Sequence, residues 1–418
     1  VLYLHRLCRP THLKPYFYPA LLLKLVAGLL LGVLYFYYYK EGDTLLYNRR
    51  GLWGAALLDK YGLQAYLEYL FLDTVPQQSP LAGVQVPYYS SAWNTVKLVS
   101  IPLALTGGNY FFSTLYLSLF SFGGMWFLVN KLSTHFSGTT EAAVLAFLFF
   151  PSVVFWSSGV LKESFIMGGM GLCVGGFLEL YRPQNLQHRI KYFILALSGA
   201  LVMWYVKYFV AIAVVAFLLL AFILRILCKS ETVGRLNIYL KSGMGVLLFA
   251  GVVLIASQLN YNLNFSQLPV SVYENYLKYS VVPEGKPGIY LPALEPTYLS
   301  FALHAPLAFF GILLKPFIWE VYNPLTLVAA AENTFLLLLL LLACKDAIHK
   351  RIKPGQDWHL LLAALFYIVV MGVLLAFSMP NLGTLSRYRI VFLPFLLYLL
   401  LSSTSARHFL SHFKISKK

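Results

Sequence analysis

The chain has 418 residues, 59% hydrophobic and only 11% charged, with a mean hydropathy of +0.70. A soluble fold would need to bury more apolar surface than so few polar residues could cover, which excludes a soluble globular domain and leaves a polytopic membrane protein. Lys and Arg outnumber Asp and Glu by 32 to 16; placed in loops between apolar runs, that excess reads as cytoplasmic-loop charge, and no nucleic-acid partner is expected.

Stretches near the 20 apolar residues needed to cross a bilayer fall at Phe17–Tyr39, Asn109–Asn130, Ala142–Phe155, Phe165–Leu180, Tyr192–Val206, Tyr208–Leu227, Ser242–Leu259, Thr326–Ala343, Trp358–Phe377 and Ile390–Leu401. The expected fold is therefore all-α, a single integral membrane domain over residues 1–418 with about ten spans. The run Tyr192–Val206 is short, about 22 Å at 1.5 Å per residue, so the chain should tilt or break around Lys207. No cleavable signal peptide is expected, since Leu21–Tyr39 is long enough to span and no small-residue cleavage site follows it. The chain begins with Val1 rather than Met, so a trimmed start is expected.

Threading ten spans puts Arg6, Arg9, Lys14, Arg182, Arg189, Lys191, Arg225, Lys229, Arg235, Lys241, Lys345, Lys350, Arg351, Lys353, Lys414, Lys417 and Lys418 on one side. By the positive-inside rule that side is cytoplasmic, and both termini lie there. The other face receives the segments 40–108 and 260–323, the Trp156–Glu163 turn, Lys207 and the Ser378–Arg389 loop. Within the first segment Leu57, Leu58, Tyr61, Leu67 and Leu70 alternate with Asp59, Lys60, Gln64 and Glu68, the spacing of a helix lying in the membrane interface. Phe301–Trp319, interrupted by Pro306 and Pro316, is a second element of this kind: interfacial, re-entrant or spanning.

The ionisable residues of the outer face are the candidate site, since charges at membrane depth usually face a cavity or a partner. Asp43, just beyond the first span, is the candidate general base: a carboxylate beside a sugar hydroxyl can take its proton as the hydroxyl attacks an activated anomeric carbon, with Gly42 letting the backbone turn closely past a ligand. Its structural rival is an acid pairing with Arg49 or Arg50. Lys162 and Glu163 end the string Phe150 to Glu163, where one helix leaves the membrane and the next re-enters; Lys162 could neutralise a phosphate and Glu163 orient it or bind a sugar hydroxyl. The rival there is a snorkelling Lys beside a helix-capping Glu.

Arg387-Tyr388-Arg389 precedes the last span, and paired guanidinium groups match phosphate oxygens as a fork; plain interfacial anchoring is the alternative. Lys207 between tyrosines, and Lys315 before Pro316 with Glu320 beyond, repeat the pattern more weakly. Glu332 lies about one turn inside an apolar helix and needs a cation, for which Lys315, Arg387 and Arg389 are candidates, in a structural pair or as a substrate contact. Lys24, inside the first span, snorkels or packs against a polar neighbour. No Walker loop, zinc-protease helix or paired Cys or His spacing appears, and Cys8, Cys173, Cys228 and Cys344 receive no redox or metal role.

With Gly42-Asp43 after the first span, the Trp156-to-Glu163 turn, and Arg387-Tyr388 followed by Pro394, the chain resembles the bacterial GT-C glycosyltransferases. In particular it resembles the dolichyl-phosphate-mannose mannosyltransferase-like and aminoarabinose transferase-like membrane proteins. The resemblance implies a helical fold with external interfacial helices, and Asp43 as the catalytic acid of the first external loop. It implies a polyprenyl-phosphate-linked sugar as donor, a lipid or glycan as acceptor, and a site on the periplasmic face of the bacterial inner membrane. The chain departs from the family in having Glu41 as the only acid near Asp43 and no large soluble C-terminal domain. The chemistry requires no metal, although Asp43 and Glu41 could share a divalent cation with the phosphate. Two other readings stand beside this one: an O-antigen or exopolysaccharide polymerase or ligase holding an undecaprenyl pyrophosphate with external arginines, and a lipid-linked glycan flippase or transporter, which makes no bond.

Overall fold

Long apolar runs fold as helices because a membrane offers no water to backbone N–H and C=O groups, which must pair within each segment. The computed structural model describes residues 13–82, 91–182, 185–227, 264–265, 267–280, 288–349 and 358–411, with isolated positions at 240, 243, 244, 247, 251 and 254. Among the described residues it is all helical, with one isolated bridge between Gly288 and Asn381. Six of the described helices are long and apolar enough to cross a membrane, and a bent pair could add a seventh. The chain is an all-helical membrane protein.

Helices are numbered in the order named here. They are α1 (Lys14–Val33, continued as a π-helix to Tyr39), α2 (Asp43–Leu72), α3 (Ser91–Leu105), α4 (Tyr110–His135), α5 (Thr140–Phe149), α6 (Pro151–Trp156), α7 (Lys162–Leu180) and α8 (Leu186–Leu227). There follow α9 (Leu268–Ser280), α10 (Tyr298–Leu314), α11 (Pro324–Ile348), α12 (Trp358–Ser378), α13 (Leu382–Val391), α14 (Leu393–Leu401) and α15 (Thr404–Ser411). The chain divides into two compact units, Val1–Ala211 and Ile212–Lys418.

The expected spans and the observed helices differ where local chemistry interrupts a run. Ala142–Phe155 is two short helices, because Pro151 forces Phe150 into an extended conformation (φ −67°, ψ 122°). Tyr192–Val206 and Tyr208–Leu227 belong to one 42-residue element that leaves helical geometry at Lys207 (φ −146°, ψ 88°), the position where a break was expected. The expected span Ile390–Leu401 straddles the bend of 64° between α13 and α14, so that only Leu393–Leu401 forms the second arm. Apart from isolated helical positions, Ser242–Leu259 lies outside the described residues. Outside them too are Arg6, Arg9, Lys229, Arg235, Lys241, Lys350, Arg351, Lys353, Lys414, Lys417 and Lys418.

In the first unit α4 and α7 meet backbone to backbone. A Cβ added at Gly124 would stand 2.1 Å from the carbonyl oxygen of Gly168, and one at Gly171 would stand 2.1 Å from that of Gly124. Only small residues let membrane helices approach this closely. The segment between α1 and α4 is helical as expected, but folded on itself. Gly62, at φ 82°, breaks α2, and its two halves pack around Leu57, Tyr66, Tyr69 and Leu81. The second half leaves Leu63, Leu67, Phe71 and Leu72 exposed, the apolar side an interfacial helix would give to lipid.

In the second unit most of Phe301–Trp319 is a single helix. It is the 17-residue α10, which accommodates Pro306, followed by a turn and a short 3₁₀ helix at Ile318–Glu320. Asn323 then caps α11 by accepting from Thr326 N at 2.8 Å, and Pro324 occupies the first turn, where no backbone donor is needed.

Candidate functional site

Asp43 is the first helical residue of α2 and is partly exposed. Gly42 before it has φ 123°, and a Cβ there would stand 2.7 Å from the Tyr35 ring. Glycine is therefore required by the first span's own aromatic side chain, a reason visible only in three dimensions. Four residues on, and so on the same helix face, Tyr47 is buried.

Lys162 reaches this face from the start of α7. Its side chain is 9% exposed. Nζ donates to Ser91 Oγ at 2.8 Å and stands 5.7 Å from the centre of the Tyr47 ring. A cation and an aromatic ring one helical turn along α2 from the candidate base are thus brought together from parts of the chain more than a hundred residues apart. A ring face and a hydroxyl acceptor are both favourable partners for a buried ammonium.

Glu163, the next residue, is fully buried and faces Lys207, whose Nζ donates to Oε1 at 2.9 Å. The sequence reading offered each of these to substrate, and the structure joins them to each other. Their pair sits at the break in α8. There the Asn94 amide donates to the Tyr205 carbonyl at 2.9 Å, answering a backbone group near the interruption. Lys24 hydrogen-bonds Ser157 Oγ, and Ser157 in turn donates to the Val153 carbonyl. Of the two readings of Lys24, the packed one is found.

The second unit holds the remaining candidates. Arg389 is 2% exposed, with its NH1 donating to Asn333 Oδ1 at 2.6 Å and its NH2 to Glu332 Oε2 at 3.3 Å. Asn333 donates onward to the Pro316 carbonyl at 3.1 Å. The cation that Glu332 needs is therefore Arg389, in an enclosed structural pair. Arg387 is buried, with its guanidinium carbon 5.3 Å from the centre of the Tyr388 ring. Lys315 pairs with Glu320 at 3.2 Å and also donates to the Gly288 carbonyl at 3.4 Å. Glu320 Oε2 accepts from Phe317 N at 2.8 Å, closing the 3₁₀ turn.

Asp43 belongs to the first unit and the arginines to the second. The first unit's cluster is thus Tyr47, Ser91 and Lys162, one helical turn along α2 from Asp43 and next in sequence to the Glu163–Lys207 pair. Sequence reasoning missed Tyr47 and Ser91. Tyr47 was accessible to it, because four-residue spacing on a helix beginning at Asp43 puts the two on one face. Ser91 carried no such signal. Among the described residues no group of three or more His, Cys, Asp or Glu side chains gathers as a metal site would need.

No family model, curated protein or solved structure matches the chain. A functional reading therefore rests on the residues and their geometry.

Proposed function

We propose that this chain is an integral-membrane glycosyltransferase that moves a sugar from a polyprenyl-phosphate donor to a lipid or glycan acceptor, on the periplasmic face of a bacterial inner membrane. The observation that carries the reading is the buried Lys162, held by Ser91 above the Tyr47 ring one helical turn from Asp43. A phosphate-binding cation beside a partly exposed carboxylate is what transfer from a lipid phosphate needs.

In this mechanism Asp43 accepts the proton of the acceptor hydroxyl while the hydroxyl oxygen bonds to the anomeric carbon. The bond from that carbon to the phosphate oxygen breaks, and the polyprenyl phosphate leaves with the electron pair. Lys162 counters the charge that develops on the departing phosphate. Glu163 and Lys207 act as positioning residues, fixing the start of α7 against the break in α8.

The deciding experiment replaces Asp43 with Asn and follows transfer from a polyprenyl-monophosphate sugar by purified protein in liposomes. Loss of a general base lowers turnover by about 10²- to 10⁴-fold, with protein abundance unchanged. Normal turnover by the variant would overturn the assignment of the base. Movement of labelled lipid with no glycosidic bond formed would point to a transporter instead.

A further inference from the structure

Beyond the Lys162 cluster, the same helix α3 builds a second arrangement to which no role has yet been given. Asp73 closes α2 in the left-handed region, at φ 57°. One oxygen of its carboxylate, Oδ1, receives Lys97 Nζ at 2.6 Å and Trp93 Nε1 at 2.8 Å. Lys97 is itself 2% exposed, donates also to the Leu70 carbonyl at 3.2 Å and stands 6.0 Å from the centre of the Tyr69 ring. Two donors from α3 therefore fix the carboxylate through one oxygen. The Asp73 side chain is 50% exposed, and no described residue bonds to its Oδ2.

We infer that Asp73, held by Lys97 and Trp93, is a binding site for the hydroxyl groups of a glycan, and that it seats the acceptor; the second half of the inference rests on the transferase reading. A carboxylate held on one side and open on the other is preorganised to accept hydrogen bonds from neutral donors, and charge assistance makes such bonds short and strong. The ammonium already 2.6 Å from Oδ1 opposes a metal ion or an amine as ligand, because a second cation would meet it at close range. Neutral hydroxyls meet no such opposition. The indole supplies an aromatic ring beside the carboxylate, turned edge-on to Tyr69 with centroids 5.8 Å apart. Such aromatic–polar pairing suits a ligand with apolar faces and hydroxyl edges, as a sugar ring has. Ser91, two residues before Trp93, holds Lys162, so the first two turns of α3 carry both arrangements.

The test uses the full-length protein in lipid nanodiscs. Saturation-transfer NMR is recorded with methyl α-D-mannopyranoside, methyl α-D-glucopyranoside and methyl α-D-galactopyranoside as probes, and undecaprenyl phosphate binding is followed in parallel by native mass spectrometry. Wild type should bind at least one glycoside. Asp73→Asn should weaken that binding at least about tenfold, the loss expected for a hydrogen bond to a charged group. Trp93→Phe keeps a ring but loses the N–H that fixes Oδ1, and should show a smaller loss; it serves as the second variant should Asp73→Asn melt early. Undecaprenyl phosphate binding should be unchanged in both variants. Glycoside binding absent in wild type, or equal in wild type and both variants, overturns the site. Glycoside binding that depends on Asp73 in a protein that fails to bind undecaprenyl phosphate sustains the hydroxyl site and removes the transferase reading.

Discussion

Lys162 in the first unit and Arg389 in the second are both buried cations at the end of a short connecting stretch that leads into an apolar helix, yet their settings differ. Arg389 is enclosed by Glu332 and Asn333, two residues of a single helix that are themselves buried. Lys162 stands between a hydroxyl from α3 and a ring from α2, one helical turn from a carboxylate that is partly exposed. A charge answered inside the protein maintains the local fold, because its removal strands the partner. A charge held by a hydroxyl and a ring, one helical turn from a partly exposed acid, can also meet a ligand. On the proposed reading, the contrast separates the structural from the functional among residues that look alike in sequence.

Three experiments can break or sharpen that contrast. The largest effect is expected from Arg389→Met, which removes the guanidinium 3.3 Å from the buried Glu332 carboxylate; the second unit should lose about 3–5 kcal/mol, read as a lowered thermal midpoint in detergent. Replacing both partners, with Glu332→Gln added, should recover most of the loss, since the buried carboxylate is removed together with its guanidinium. Failure of the double variant to recover would mean that the pair does more than answer its own charges.

Lys162→Met should be milder for the fold, about 1–2 kcal/mol for a hydrogen bond and a cation–ring contact. It should nevertheless weaken undecaprenyl phosphate binding at least about tenfold in native mass spectrometry, the scale of a lost hydrogen bond between charged groups. A thermal loss as large as that of Arg389→Met, with lipid phosphate binding intact, would place Lys162 among the structural cations and end the comparison.

The smallest effect concerns the α2–α3 pack that holds Ser91 in place. Burial pushes the Tyr69 phenol well above the usual tyrosine range, and burial also raises Tyr66, partly offset by its hydrogen bond to Ser100. The folded state then keeps its protons where the unfolded chain would release them. This contribution is complete below about pH 10, the unfolded value, and is lost as pH rises toward the folded one. Alkaline titration of thermal stability should fall from that point, and Tyr69→Phe should flatten the slope. An unchanged slope would remove Tyr69 as its source.

Much of the fold was legible because its determinants are local. Apolar runs marked α1, α4, α7, α11 and α12, since bilayer thickness sets a length that composition alone can reveal. The break at Lys207 was legible as well, from a run too short to span. The split at Phe150–Pro151 was passed over, although a residue before proline resists helix in any setting. The site was less accessible. Asp43 and Lys162 were singled out, but Glu163 and Lys207, 44 residues apart, and Arg389 and Glu332, 57 apart, could not be matched to each other by inspection.

The sequence by itself determined that this is a helical membrane protein and which stretches form helices, because backbone pairing in an apolar medium is settled within each segment. It also located the scarce charges. Only the tertiary structure decided which of those charges answer one another and which are held by a hydroxyl and a ring. That choice depends on how closely helices approach, and in the first unit a seam of glycines between α4 and α7 sets the approach. Pairing of charges is thus a property of packing, to which no spacing along the chain corresponds.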